Sequence, residues 1–204
     1  VRERTAASAL PPLSFLHVWW ARRPLAVSGG AVLASVLPAW SPALAERFAA
    51  HRELATAEAY HGWVLRLCGV LGDPVLARVR IDRARETGER LADGGYGYKQ
   101  AYKNSPTTAN LRLLHEVLAA TWGGLPTVVD PTAGGGSIPY TAIRYGFSAQ
   151  ANDLNPVAAA VLRAGVELPA RFGTDLRPDL EYWGGELCDR IKSRLAPFFE
   201  LPDK

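Results

Sequence analysis

The residues that decide the fold are Leu125-Pro126-Thr127-Val128-Val129-Asp130-Pro131-Thr132-Ala133-Gly134-Gly135-Gly136-Ser137. The run 125–129 is short, apolar and rich in β-branched residues, which reads as a buried strand. Asp130 closes it, and Gly134 and Gly136 follow four and six positions later. A tight turn needs residues that accept positive φ and put no side chain in the way, and glycine does both. Residues 138–145 read as the helix after the turn, closed by Gly146, and 147–152 as a second short strand ending at Asp153. Asn155-Pro156 then caps another helix, to about residue 168. Strand, turn, helix, strand and helix, in that order, open a parallel α/β sheet.

The same stretch carries the chemistry. A helix that begins at a glycine turn offers free N–H groups and a favourable dipole to an anionic or polar ligand group. Asp153 lies 23 positions after Asp130, at the end of the second strand, where a carboxylate can accept hydrogen bonds from both hydroxyls of a ribose. A nucleoside-containing cofactor is therefore expected, against the plainer reading of a merely tight connection. The dinucleotide pattern G-x-G-x-x-G is not met, because Pro139 stands near the place of its third glycine. This weighs against NAD; pattern alone leaves NAD and S-adenosylmethionine both open.

Outward from this unit, the first half reads helical. Residues 15–37 hold an apolar run that ends at Pro38. Residues 46–71 carry Phe48, Leu54, Tyr60, Trp63, Val64, Leu67 and Cys68 mostly at helical spacing and stop at Gly72-Asp73-Pro74. Residues 75–91 place Val75, Leu76, Val79, Ala84 and Leu91 on one side and stop at Asp93-Gly94-Gly95. The glycines at 94, 95 and 97 exclude a helix interior there. Ser105-Pro106 is expected to start the helix that buries Leu111, Leu114, Val117 and Leu118 and ends at Gly123-Gly124. The expected organisation is a helical N-terminal segment over 1–104 and a partial, Rossmann-type parallel-sheet domain over 105–204.

Composition sets outer bounds. The chain is 48% hydrophobic and 21% charged over 204 residues, which excludes wholesale disorder. No apolar stretch approaches the roughly 20 residues of a spanning helix, and no signal peptide is evident, so a cytoplasmic protein without membrane contact is expected. Cys68 and Cys188 are too few for a disulfide scaffold, and no Cys or His spacing suggests a metal site. Net charge is +3, with 14 Lys and Arg against 9 Asp and Glu in 1–104 and 9 against 11 in 105–204. Mild basicity at one end permits a nucleic-acid partner without requiring one.

Four islands resemble a known family. Asp130-Pro131-Thr132-Ala133-Gly134-Gly135-Gly136-Ser137-Ile138-Pro139 resembles the first motif of class I methyltransferases acting on nucleic acids, and Asn152-Asp153-Leu154-Asn155-Pro156 resembles the second. His17-Val18-Trp19-Trp20-Ala21-Arg22-Arg23-Pro24-Leu25-Ala26 is similar to the N-terminal signature of the large adenine-specific DNA methylases with a zinc ribbon. Asp179-Leu180-Glu181-Tyr182-Trp183-Gly184 resembles the stretch before that ribbon. The resemblance implies S-adenosylmethionine as cofactor and methyl transfer to an adenine amine in DNA, in modification or defence. It implies a cofactor site made of Asp130, Pro131, Thr132, Ala133, Gly134, Gly136, Asp153 and Asn155. Asp130 would lie near the methionine amine, and Asp153 on the ribose hydroxyls.

The chain also departs from that pattern. Such amino-methyltransferases carry Asp/Asn/Ser-Pro-Pro-Tyr/Phe after the fourth strand, to hold the target amine in line and stack on the flipped base. The one Pro-Pro here is Pro11-Pro12, followed by Leu13, and the ribbon cysteines are missing. With 74 residues after Asp130, the sheet is expected to be incomplete. No catalytic residue is assigned, and the chain alone is expected to be inactive. A further C-terminal region or a second chain is expected to supply the missing motif. An RNA methyltransferase of the N2-guanosine type and a non-catalytic subunit completed by another chain are the alternatives.

Four cations are candidates for DNA contact: Arg22 and Arg23 beside the paired indoles, and Lys99 and Lys103 among Tyr96, Tyr98 and Tyr102. Lys99 or Lys103 is also a candidate partner for the methionine carboxylate. Solvated helix faces and an ordinary surface loop are the plainer readings. Tyr182 and Trp183 are expected to anchor the last helix, and Phe198 and Phe199 to be exposed.

Overall fold

A computed structural model describes residues 16–19, 23–91 and 97–199. Arg22, Trp20 and Tyr96, and the glycines at 94 and 95, lie outside them. Helix α1 (Leu25–Val36) follows Pro24 and ends before Pro38. The stretch 46–71 is not one helix. It divides into α2 (Pro42–Arg47), a short turn at Arg52–Leu54 and α3 (Ala57–Leu67). The division has a local cause: Thr56 takes an extended conformation and its hydroxyl accepts from Ala59 N at 3.1 Å, which starts a new helix.

Helix α4 (Pro74–Thr87) is capped by Asp73 and ends earlier than expected, at Gly88 with φ 73°. Its expected inner face is buried only in part, at Ala84. Val75, Leu76 and Val79 are exposed, whereas Ala77 and Ala84 are buried. The small side chains are what the packed face accommodates. Helix α5 (Thr108–Trp122) begins two residues later than expected, because Thr107 rather than Ser105 caps it, accepting from Asn110 N at 3.2 Å.

Strand β1 (Thr127–Asp130), helix α6 (Ser137–Arg144) and strand β2 (Ser148–Ala151) form the expected crossover unit, but β1 is not the buried strand expected: Thr127 and Val129 are exposed. The two strands are parallel, with Thr127 opposite Ser148 and Asp130 opposite Ala151. Asn155 caps α7 (Pro156–Leu162) through a bond from Val157 N at 2.9 Å. A π-helical turn at Arg163–Glu167 leads into α8 (Leu168–Phe172) and, after a tight turn, α9 (Arg177–Leu195). The chain is thus mostly helical around a small two-stranded parallel sheet, an arrangement compatible with an α/β fold. Among the described residues no helix is long and apolar enough to cross a membrane.

One core joins the two halves. Leu33 from α1, Trp63 and Leu67 from α3, Leu114, Val117 and Leu118 from α5, and Ala142, Tyr145 and Phe147 around α6 are all buried in it. Each fully buried large side chain contributes roughly 1.5–3 kcal/mol. Helix α1 approaches α6 closely because position 29 is glycine: a Cβ there would come within 2.6 Å of Tyr145 Oη. That hydroxyl also donates to Leu67 O at 3.3 Å, tying α3 to the same point. Helix α9 contrasts with this core. Tyr182 and Trp183 stack edge to face at 5.0 Å but are each 63% exposed, so they do not anchor the helix. Gly184 and Gly185 sit inside α9 rather than ending it.

Candidate functional site

The site is built at the carboxyl ends of the two strands, the edge at which open parallel sheets bind ligands. Beyond the strands the pairing continues into the turn: Asn152 N donates to Asp130 O, and Ala133 N donates to Asn152 O, both at 2.9 Å. Gly134 (φ 52°) and Gly136 (φ 80°) adopt the left-handed backbone that lets the chain reverse into α6. No side chain caps α6. Ser137 N and Ile138 N, at its first two positions, have no intrahelical acceptor by position, and Pro139 has no N–H.

Asp153 braces this turn. Its Oδ2 accepts from Gly134 N at 2.8 Å and its Oδ1 from Asn155 N at 2.9 Å. The Asn155 N–H first, and the Gly134 N–H second, hold its carboxyl below the ordinary aspartate value, so it is ionised at neutral pH. A carboxylate has about four acceptor positions, so two remain for ligand hydroxyls. Asp130 is 8% exposed and its Oδ1 accepts from Thr132 N at 3.2 Å. A buried carboxylate is costly unless hydrogen-bonded or neutralised, and among the described residues no cation forms an ion pair with Asp130.

A cavity of about 420 Å³ lies over the turn. Asp130, Thr132, Ala133, Gly134 and Asp153, five of the eight expected cofactor residues, line it. The other three have different work. Pro131 is exposed and does not line the cavity. A Cβ on Gly136 would meet Leu162 Cδ2 at 3.0 Å and Val166 Cγ2 at 3.2 Å, so that glycine lets the helix after β2 pack on the turn. Asn155 spends its side chain capping α7.

Gly135 also lines the cavity, as do Ser137 and Ile138, which the sequence reading missed; these two hold the first positions of the helix after the turn, and that is the available signal. The sequence reading also missed Trp19. The indole lies on the turn, so that a Cβ at Gly134 would come within 2.8 Å of Trp19 Nε1, and one at Gly135 within 2.8 Å of Trp19 Cβ. Arg23 lines the same cavity. Lys99 and Lys103 do not. Their segment docks at the other end of α6, where Arg144 donates to Asn104 O at 3.1 Å and Asn104 donates to Gly69 O at 2.8 Å. Eight helical residues separate the two ends by about 12 Å.

A larger hollow, of about 500 Å³, opens between α6, β2 and the helix that follows, and shares Asp153. It lies along the helical face of the sheet, and none of residues 130–138 lines it. The smaller cavity brings together both aspartates, the open helix start and a cation, and is the candidate site on those grounds. Among the described residues no group of three or more His, Cys, Asp or Glu side chains is placed to hold a metal ion.

Comparison with known proteins adds one finding. Residues 1–60 match the model of a family described as a protein of unknown function, DUF1156. No curated protein and no solved structure matches the chain. The matched region contains Trp19 and Arg23, which line the cavity, and helix α1, which packs against α6.

Proposed function

We propose that the chain seats S-adenosylmethionine at the glycine turn, as the cofactor-binding N-terminal part of a DNA adenine-N6 methyltransferase. The observation that carries the reading is that Asp130 and Asp153, at the ends of two parallel strands, face one cavity across a glycine turn. A volume of about 420 Å³ falls within the roughly 300–1,000 Å³ of small-molecule sites. The donor set suits the cofactor. Asp153 offers acceptors to paired ribose hydroxyls, and buried Asp130 offers a carboxylate to an ammonium. Ser137 N and Ile138 N offer donors to polar ligand atoms. When bound, the cofactor supplies an electrophilic methyl group. DNA as the substrate rests on the resemblance of the island at residues 17–26.

Calorimetric titration of the purified chain tests the reading. Saturable binding of S-adenosylmethionine, and no binding of NAD, is expected. The reverse preference would contradict it. The 204 residues contain no Asp/Asn/Ser-Pro-Pro-Tyr/Phe motif, so this chain alone is expected to transfer no labelled methyl to DNA.

A further inference from the structure

Resting on that reading, we propose that Arg23 is the anchor for the ligand's carboxylate, and that Trp19 and Arg23 themselves form one wall of the cofactor seat. Charge balance points to it. Among the described residues lining the cavity, Asp130 and Asp153 are the anions and Arg23 is the cation. On the ligand, the ammonium answers Asp130 and the ribose hydroxyls answer Asp153. The guanidinium then calls for an anion, and the amino-acid end of S-adenosylmethionine carries one next to its ammonium. A planar guanidinium matches a carboxylate through two parallel hydrogen bonds.

The position of Arg23 is set from its C-terminal side by helix packing. It immediately precedes Pro24, the cap of α1, and α1 packs against α6, the helix that begins at the glycine turn. Close approach at Gly29 fixes the spacing of these helices. On the other side of Arg23, Trp19 lies on Gly134 and Gly135, which have no side chains to push it away. Trp19 and Arg23 are therefore both referred to the same turn, as preorganised binding requires. The two glycines thus make room for an indole as well as for a ligand. The alternative carboxylate partners, Lys99 and Lys103, are at the far end of α6 and do not line the cavity. The region matched by the family of unknown function acquires a specific role: it supplies the wall and the counter-charge that the crossover unit lacks.

The test compares S-adenosylmethionine with its decarboxylated analogue, which keeps the nucleoside, the sulfonium and the amine. The unaltered chain is expected to bind S-adenosylmethionine about tenfold to a hundredfold more tightly than the analogue, the usual worth of a charge-assisted bond. Arg23→Gln is expected to remove that preference while leaving affinity for the analogue within about twofold, the analogue reporting that the seat is still folded. Lys103→Gln is expected to leave the preference intact. Equal affinity of the unaltered chain for both ligands would overturn the proposal and needs no variant. So would a preference that survives Arg23→Gln or vanishes in Lys103→Gln. In each of these cases the nucleoside seat itself stands. Failure of the unaltered chain to bind either ligand would remove the seat, and this proposal with it.

Discussion

Two glycine doublets show how differently one residue type is used in this molecule. At Gly134 and Gly135 a Cβ would come within 2.8 Å of Trp19, whereas at Gly184 and Gly185 it would meet nothing within 4 Å. The first doublet lies where a turn, an indole and a cavity converge. The second lies within α9, whose apolar residues Leu180, Trp183 and Leu187 are exposed. Glycine inside a helix costs about 1 kcal/mol relative to alanine, so α9 carries two such costs without any close approach in the described structure to account for them. Ion pairs spaced four residues apart, Arg177 with Glu181 and Arg190 with Glu186, support the helix from its own surface. Such exposed pairs contribute only about 0.3–0.5 kcal/mol each.

The contrast between a packed centre and a bare helix can be tested by substitution. The largest effect is expected at the centre. Trp63 is fully buried among α1, α3 and α5, and Trp63→Ala should lower unfolding free energy by about 3–5 kcal/mol in a denaturant titration. Leu187→Ala on α9 should change it by less than about 0.5 kcal/mol. Comparable losses would mean that α9 is packed in solution.

Gly136→Ala comes next. It forces a left-handed backbone on a β-carbon, at about 1–2 kcal/mol, and presses Leu162 and Val166. The expected result is a measurable loss of stability together with weaker cofactor binding, read by thermal melting and calorimetry. Loss of neither would detach this glycine from the packing described for it.

A smaller effect concerns acid. The lowered carboxyl of Asp153 contributes stability that is fully present above the unfolded value, about 3.9, and is lost as pH falls through the still lower folded value. Melting temperature should therefore show no contribution from Asp153 between pH 6 and pH 8. Asp153→Asn should flatten part of the decline below pH 4. An unchanged acid limb in that variant would remove Asp153 as a brace of the turn. The smallest effect, and opposite in sign, is expected at the second doublet. Gly184→Ala should stabilise the chain by up to about 1 kcal/mol, since a methyl group there meets open space.

The sequence was legible where its signals are local. The β1–α6–β2 unit and the Asn155 cap follow from β-branched runs, glycines and a capping side chain within about thirty residues. Helix boundaries ahead of the sheet are less legible, because Thr56 interrupts a pattern that runs on past it and Thr107 competes as a cap with Ser105. Helix α4 shows a different limit. Its periodicity identifies an apolar side, but neighbours decide which of its residues are buried: they accept Ala84 from that side and Ala77 from outside it, and leave Val75, Leu76 and Val79 exposed. The wall of the site was illegible for a third reason. Trp19 and Arg23 meet the glycine turn from more than a hundred positions away, and no spacing rule links them. In the sequence Arg23 reads, with Arg22 and beside the paired indoles, as a DNA contact, because arginine suits phosphate. In the folded chain Arg23 lines the same cavity as Asp130.

The most direct measurement of the central claim is an amide NMR titration of the labelled chain with S-adenosylhomocysteine. The account predicts saturable shifts at Thr132, Ala133, Gly134, Ser137 and Asp153, with smaller ones at Trp19 and Arg23, and none along α9. Shifts absent from the turn, or reproduced there equally by NAD, would contradict it.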